Sequence, residues 1–384
     1  MSKLYRILYI TKLVELGGGE KSLFYTVEKL DKDRFQPLVL CNNIGSLTSE
    51  LKKSNIKVTI FTLGVAKKLW GFVPVISISS IIRFWKLLIR EEIDLVHSNC
   101  FSGVVFASIP TKLMKIPLVW TVHGWTSGGG VQGYLINFFV DKILTVSNAV
   151  RKFILKFDRI SSEKVETVFL GVNLEEYSNI NETNKIRKEF GINNSFPLIG
   201  MIGRFQRVKG QYYFFKAAKN IKKECPQAKF MIVGARIFER KSDKGYPEEI
   251  IKWTKEFGLE NDIILTGFRN DITDILSALD VLVLPSLRES FGLVLVEAMA
   301  AGVPVVATRC EGPEDIVENN VSGILVPVKD SEALSKAVLF LLKNREKTNE
   351  MISTAKKRVE KLFNVYLQTK RIESIYDDLL SDKK

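Results

Sequence analysis

The chain has 384 residues, more than one hydrophobic core of ordinary size holds, and its length therefore predicts two domains. Its composition, 46% hydrophobic and 26% charged, is typical of a globular protein and excludes a disordered or collagen-like chain. The net charge of +13 suits nucleic acid, an anionic membrane surface or a phosphorylated small molecule, although a merely basic surface is also compatible with it.

Metal-binding and disulfide-forming residues are scarce. The four cysteines form no C-x-x-C pair, and the chain contains only two histidines. We therefore predict no structural zinc site and a reducing, cytoplasmic compartment. No other metal and no cofactor are expected either. The longest uncharged stretch, 116–140, is interrupted by glycines and polar residues, so no membrane span is predicted there.

Short β-rich runs alternate with helical patterns along the first half of the chain. Strands are predicted at 6–10, 36–40, 57–61, 94–97, 117–122, 142–146 and 165–169. Helices are predicted at 20–30, 46–54 and 78–90. This alternation predicts βαβ units on a parallel sheet.

A polar, asparagine-rich stretch at 179–195 interrupts the alternation, and we place the domain boundary there. Strands are then predicted at 198–202, 229–233, 263–266, 281–284, 303–307 and 323–326. The predicted domains are 1–180 and 195–361, with an amphipathic C-terminal helix at 362–384 that joins the first domain. Both are doubly wound α/β sheets, whose ligands bind beyond the carboxyl ends of the strands.

Three glycines, Gly17-Gly18-Gly19, follow the first predicted strand and precede Glu20 and a helix. Glycine lets a backbone approach a phosphate closely, and a helix start offers free N–H groups. The run matches neither the dinucleotide-binding pattern nor the P-loop. A phosphate contact and a plain strand-to-helix turn both remain open.

Two basic residues follow the first strand of the second predicted domain. Arg204 comes directly after Gly203, and Lys209 precedes Gly210 five residues later. A guanidinium and an ammonium group at the carboxyl end of a parallel strand suit a diphosphate. Two solvated bases on a loop are the alternative.

Two glutamates dominate the segment 285–298. Glu289 lies in a loop before a predicted helix, and Glu297 lies inside that apolar helix. Their carboxylates suit different hydroxyls of one extended ligand, and the amides at the helix start suit its oxygens. A capping role would explain Glu289, but a carboxylate on a buried helix is rare without a partner.

In combination, these motifs resemble glycosyltransferase family 4, the retaining GT-B enzymes of glycosyl transferases group 1. The two glutamates lie eight residues apart around Ser-Phe-Gly-Leu, flanked by VLVLPS, EAMAAGVPVVAT and GILVP. The family's Gly-Arg-x4-Lys-Gly and Gly-Gly-x-Glu elements occur at 203–210 and 17–20. TVHG at 121–124 and DLVHSN at 94–99 resemble its histidine-bearing strand ends.

The resemblance covers essentially the whole chain and implies a GT-B fold, in which two Rossmann-like domains face each other across a cleft. It implies a retaining, metal-independent transferase in which residues of the motifs above bind the diphosphate, the ribose and the sugar of the donor. The implied catalytic residues are His123, Arg204, Lys209 and Glu289, and the implied donor-binding residues are Gly18, Arg204, Lys209, Glu289, Phe291, Gly292, Leu293 and Glu297.

Three further positions need separate interpretation. Glu311, in the segment RCEGPED, stands where the family usually has glycine. His97 ends a buried strand and is interpreted as a structural, hydrogen-bonded residue. The D-x-D pattern at 31–33, typical of metal-dependent glycosyltransferases, falls in a polar loop and is interpreted as coincidence.

We therefore expect a hexosyltransferase that moves a sugar from a nucleotide-diphosphate donor to a glycan or lipid-linked acceptor, in bacterial surface polysaccharide synthesis. A UDP-sugar is favoured over GDP-mannose, and no nucleic-acid partner is expected. A nicotinamide oxidoreductase would need a fingerprint that is missing. A sugar-nucleotide epimerase or a non-catalytic sugar-nucleotide-binding relative of the same fold remains the alternative.

The segment 67–90 bears on whether the protein associates with a membrane. Its fourteen-residue uncharged run, 69–82, is too short to span a bilayer. A peripheral position on the inner face of an anionic membrane and an ordinary helix packed on the sheet both remain open. The segment mixes Trp70, Phe72, Phe84 and Trp85 with Lys67, Lys68, Arg83, Lys86 and Arg90.

Overall fold

The computed structural model describes residues 3–62, 65–69, 73–76, 78–125, 131–156, 160–178, 185–235 and 243–381. By its internal contacts the chain divides into two units, Met1–Gly171 with Val365–Lys384, and Val172–Asn364. The second unit therefore begins before the polar stretch in which the boundary was predicted. Residues 179–184 of that stretch, and the predicted helix end at 382–384, lie outside the described residues.

The first unit is a doubly wound α/β domain with elements numbered along the whole chain. Its strands are β1 (Tyr5–Thr11), β2 (Phe35–Cys41), β3 (Lys57–Ile60), β4 (Val65–Leu69), β5 (Val73–Ile76), β6 (Leu95–Ser98), β7 (Leu118–Val122), β8 (Lys142–Thr145) and β9 (Val165–Thr167). Its helices are α1 (Gly18–Lys29), α2 (Ser46–Lys53), α3 (Ile78–Arg90), α4 (Phe101–Leu113), α5 (Val131–Phe139), α6 (Asn148–Ile154) and α16 (Val365–Ser381).

The second unit repeats the same design. Its strands are β10 (Leu198–Ile202), β11 (Lys229–Val233), β12 (Ile263–Gly267), β13 (Val281–Leu284), β14 (Val305–Thr308) and β15 (Ile324–Val326). Its helices are α7 (Glu175–Ser178), α8 (Lys185–Glu189), α9 (Gln211–Glu224), α10 (Tyr246–Glu256), α11 (Ile272–Ala278), α12 (Leu293–Ala301), α13 (Pro313–Ile316), α14 (Ser331–Lys343) and α15 (Arg345–Leu362).

Each unit contains one parallel sheet, which confirms the predicted α/β class. The strand orders are β3-β2-β1-β6-β7-β8-β9 and β12-β11-β10-β13-β14-β15, while β4 and β5 form a separate antiparallel hairpin that was not predicted. The central strands are apolar on both faces because helices cover both sides, as along β1, where 7–10 are fully buried. The strand order reverses beside β1 and beside β10, and ligands of such sheets bind at this reversal.

The C-terminal helix α16 belongs to the core of the first unit. Ile372, Ile375 and Tyr376 pack in one cluster with residues of β1 and β2. The side chain of Gln368 accepts a hydrogen bond from the Gly171 amide at 2.6 Å. It also donates to two buried hydroxyls of α1, those of Ser22 and Thr26, at 2.9 and 3.0 Å.

His97 is a structural residue, as predicted. Its Nδ1 lies 2.5 Å from the Tyr376 hydroxyl, and its Nε2 lies 2.6 Å from the Thr121 hydroxyl. The Tyr376 hydroxyl in turn donates to that of Tyr9 at 2.8 Å. Burial of the imidazole lowers the pKa of His97 to about 3, so the ring is neutral near pH 7.

The aromatic residues of 67–90 take different positions. Phe84 is fully buried, with its ring edge-on to Phe61 and to Phe106 of α4, so this residue packs in the interior rather than on a membrane surface. Trp70 and Phe72 lie outside the described residues. Of the helices in the described ranges, none is long and apolar enough to cross a membrane.

Replacing Gln368 with Ala should lower the free energy of unfolding by about 1–3 kcal/mol, because three buried partners lose a hydrogen bond. Urea unfolding followed by circular dichroism measures this change. The control is Leu367→Ala, a neighbouring side chain that is 49% exposed, for which less than about 0.5 kcal/mol is expected. Equal stability of the two variants would contradict the role given to Gln368.

Lowering the pH from 7 to 5.5 should reduce the free energy of unfolding by about 1 kcal/mol through His97. The unfolded chain protonates this residue near pH 6.5, whereas the folded chain does so only near pH 3, so stability is lost as the pH falls. Urea unfolding at both pH values tests this, with His97→Gln as the comparison. A pH dependence as steep in the variant as in the parent would rule out the assignment.

Candidate active site

The residues predicted in the second unit gather at the carboxyl ends of two neighbouring strands. Arg204 follows β10, and Glu289 lies in the loop between β13 and α12. Since β10 and β13 are adjacent, these loops flank the reversal of strand order. This is the position at which a doubly wound sheet binds ligands.

Two backbone contacts hold the loops after β10 and β13 together. The Leu287 amide donates to the Val208 carbonyl at 2.7 Å. Gly210 has φ +75°, and a Cβ at this position would come 2.0 Å from the Pro285 carbonyl oxygen. Only glycine fits such a left-handed and closely packed position.

This approach places Lys209 next to Glu289. Lys209 Nζ lies 2.5 Å from Glu289 Oε2, and the two side chains are only 16% and 12% exposed. The Ser286 hydroxyl, fully buried, lies 3.4 Å from the same carboxylate oxygen. Two predicted catalytic residues therefore form one largely buried ion pair.

Arg204 is anchored through its backbone. Its carbonyl accepts a hydrogen bond from the Gln211 side chain at 2.8 Å, and Gln211 is held in turn by the Tyr246 hydroxyl at 3.0 Å. Neither Gln211 nor Tyr246 was predicted, and the one signal in the sequence is that Gln211 directly follows Gly210. The third base of this loop, Arg207, pairs with Glu249 and lies over the Tyr246 ring, so its charge is already engaged.

The backbone of Glu289 is fixed by the loop after β14. Its amide donates to the Cys310 carbonyl at 3.1 Å, and its carbonyl accepts from the Gly312 amide at 2.9 Å. Between these two residues, Glu311 has φ +83°. A non-glycine residue in this region carries a conformational cost of about 1–2 kcal/mol. The one departure from the family pattern considered above is therefore a direct neighbour of Glu289.

Helix α12 carries the remaining predicted residues. It begins at Leu293, after Gly292 with φ +102°, and the amides at such a start lack acceptors within the helix. Glu297 is 6% exposed on this otherwise apolar helix, which confirms the predicted burial. Phe291 is buried as well, with its ring edge-on to Phe363.

In the first unit, Gly18 follows the loop after β1 and His123 directly follows β7, and these two strands lie on either side of β6. Gly18 is the first residue of α1, and a Cβ on the next residue, Gly19, would come 3.2 Å from His123 Nδ1. His123 Nε2 lies 2.9 Å from Asn99 Oδ1, a partner that was not singled out in the sequence. Burial lowers the pKa of His123 to about 4, so this ring is neutral as well.

His97 and His123 both line a cavity of about 20 Å³ in the first unit, together with apolar residues such as Leu144 and Ile372. That volume accommodates no more than one water molecule. The cavity is therefore too small for a sugar.

The D-x-D pattern has a local structural role. The Asp31 carboxylate accepts the Asp33 amide at 3.1 Å and so closes a turn. Within the described ranges, no three His, Cys, Asp or Glu residues are grouped so that they could hold a metal ion.

Comparison with known families agrees with this arrangement. Residues 16–176 match the model described as Glycosyltransferase Family 4, and residues 182–358 match the model described as Glycosyl transferases group 1. The two matches cover the two units in turn.

Three similar proteins span most of the chain. The UDP-Gal:alpha-D-GlcNAc-diphosphoundecaprenol alpha-1,3-galactosyltransferase of Escherichia coli is 26% identical, over 98% of both chains. The N,N'-diacetylbacillosaminyl-diphospho-undecaprenol alpha-1,3-N-acetylgalactosaminyltransferase of Campylobacter jejuni is 23% identical, over 82% of this chain and 84% of its own. Anabaena HepE, solved in complex with UDP and glucose, is 25% identical with a TM-score of 0.84, over 97% of this chain and 99% of its own.

The fold, the strand-end residues and both family matches lead to one assignment: this chain belongs to glycosyltransferase family 4 and has the GT-B type of α/β fold.

Proposed function

We propose that the chain is a retaining glycosyltransferase that moves a sugar from a UDP-sugar to a lipid-linked saccharide without a metal ion. The observation that carries this proposal is the Lys209–Glu289 ion pair, located with Arg204 at the strand reversal of the second sheet. The proposal includes bacterial surface polysaccharide synthesis as the process in which such an acceptor would be used.

In this proposal, Arg204 and Lys209 face the donor diphosphate. Their positive charges stabilise the negative charge that grows on the leaving group as the glycosidic bond breaks. A carboxylate near a diphosphate would by itself repel it. Because Lys209 offsets the charge of Glu289, this carboxylate can accept hydrogen bonds from sugar hydroxyls close to the phosphates.

The start of α12 completes the proposed donor site. Glu297, a buried residue of α12, would accept hydrogen bonds from both ribose hydroxyls. The amides of Phe291, Gly292 and Leu293 would bind sugar and phosphate oxygens. The roles of Gly18 in diphosphate binding and of His123 near the anomeric carbon rest on the family resemblance and remain predictions.

The similar proteins support the choice of substrates. The names of the E. coli and C. jejuni relatives specify diphosphoundecaprenol-linked acceptors and α-1,3 linkages, and the E. coli name specifies UDP-Gal. HepE was solved with UDP and glucose. An α-linked product from an α-linked sugar nucleotide requires retention at the anomeric carbon.

A lipid-linked acceptor also makes a peripheral membrane position part of the proposal. Helices α3, α4 and α5 are neighbours in the first unit, and each exposes large apolar side chains. On α3, Arg83, Lys86 and Arg90 are exposed beside Ile82 and Ile89. Exposed apolar residues bordered by bases suit an anionic lipid surface.

Titration calorimetry in EDTA should distinguish the roles of Glu297 and Glu289 in ligand binding. Glu297→Gln should weaken UDP and the UDP-sugar alike, by roughly ten- to a hundredfold, because both ligands contain the ribose. Glu289→Gln should weaken only the intact UDP-sugar. UDP-glucose, UDP-galactose, UDP-GlcNAc and GDP-mannose are the donors, and Glu224→Gln, an exposed carboxylate of the same unit, is the control.

The same preparation is then assayed for transfer to an undecaprenyl-diphosphate sugar in EDTA, with the anomer of the product assigned by NMR. Failure of every donor to bind would refute the proposed function. Transfer that returns only with added manganese or magnesium would refute metal independence, and an inverted product would refute retention.

Vesicle sedimentation should show binding to anionic but not to neutral membranes. Replacing Arg83, Lys86 and Arg90 together by Gln should weaken this binding by about a hundredfold, since each base contributes about 1 kcal/mol at an anionic surface. A triple Gln variant of Lys216, Lys219 and Lys223, exposed on α9, changes the net charge equally and should bind as the parent does. Equal losses of vesicle binding in both triple variants would show that only the net charge matters and would contradict a membrane-binding surface on α3.

A further inference from the structure

Glu311 occupies a backbone conformation that glycine adopts without strain. It is also the position beside the candidate site where the sequence departs from the glycine usual in the family. A side chain retained at such a position is expected to make a contact that glycine cannot make. That contact indicates the function of the glutamate side chain at position 311.

The contact is an ion pair with Arg288, the residue directly before Glu289. Arg288 Nε donates to Glu311 Oε2 at 3.1 Å, and the two side chains are 46% and 42% exposed, so a ligand can reach them. The backbones of Glu289 and Glu311 also form a parallel bridge, through the Cys310 carbonyl and the Gly312 amide. The ion pair is therefore tied to the backbone of the glutamate that the proposed function assigns to the donor sugar.

We propose that the Arg288–Glu311 pair determines which donor sugar the protein selects, an inference that rests on the proposed function. The guanidinium donates hydrogen bonds and the carboxylate accepts them, so the pair distinguishes hydroxyls by their position and orientation. Hexoses differ in the axial or equatorial orientation of a hydroxyl. The proposed function assigns Arg204 and Glu297 to the nucleotide, so loss of the pair is expected to alter sugar selectivity rather than nucleotide affinity.

Glu311→Gly tests the pair without disturbing the backbone, because glycine keeps the left-handed conformation. UDP should bind within about twofold of the parent, as measured by titration calorimetry. The ratio of kcat/KM between the preferred UDP-sugar and the next best should fall by at least about tenfold, as expected for the loss of one hydrogen bond to a charged group. The matched control is Lys329→Gly, which relieves a left-handed residue (φ +64°) elsewhere in the same unit and should leave the ratio unchanged.

A double-mutant cycle shows whether the two residues act together. Arg288→Gln and Glu311→Gln should each lower the selectivity ratio, and the double variant should lower it no further than the stronger single change. Additive losses would show that the residues act separately and would overturn the pair as the determinant.

An unchanged ratio in Glu311→Gly would also overturn the inference, as would a parallel loss of UDP affinity, which indicates general damage to the loop. A parent protein that binds UDP-sugars and transfers, with variants of unaltered selectivity, refutes only this inference. A parent protein that binds no sugar nucleotide refutes the proposed function and the inference with it.

Discussion

The candidate site of the second unit depends on how closely the loops after β10 and β13 approach each other. Gly210 lies against the Pro285 carbonyl, where a Cβ would come within 2.0 Å, and the Leu287 amide bonds to the Val208 carbonyl. Without this approach, Lys209 and Glu289 would each be a largely buried charge with no opposite charge nearby, which is costly. The backbone packing of one glycine thus permits the ion pair of two side chains.

The same principle extends to the loop after β14. Gly312 is packed so that a Cβ would come 2.5 Å from the Phe291 amide nitrogen, and Glu289 is bonded on both sides to this loop. Three strand-end loops therefore form one continuous layer over the sheet. This layer fixes the backbone of Glu289 and holds the Arg288–Glu311 ion pair directly beside it.

The first unit depends on a different constraint, the satisfaction of buried polar groups. Gln368 of α16 bonds to a backbone amide and two hydroxyls, and Tyr376 of the same helix links Tyr9 to His97. Because burial keeps both histidines neutral, this polar interior carries no net charge from them near pH 7. The C-terminal helix is therefore held by specific hydrogen bonds as well as by its apolar face.

Local sequence determined the elements and the chemistry of this protein. The apolar runs predicted the strands of both sheets to within about two residues, since burial on two faces leaves a clear hydrophobic pattern. Local sequence placed Arg204, Lys209 and Glu289 near strand ends, which parallel strands bring to one edge, and placed Glu297 on an apolar helix. The family resemblance then made all four candidate site residues. The β4–β5 hairpin was missed, although Gly71 lies between its two strands and a short connection containing glycine is typical of a hairpin.

Only the tertiary structure decided which of these groups meet. The Lys209–Glu289 pair joins residues that are far apart in the chain, and the Asn99–His123 contact has no local signal. The left-handed backbone of Glu311 lies between Cys310 and Gly312, which are both hydrogen-bonded to Glu289, and it goes against the preference of its own residue type. Such contacts depend on the distance between loops after folding, and no local pattern of residues encodes that distance.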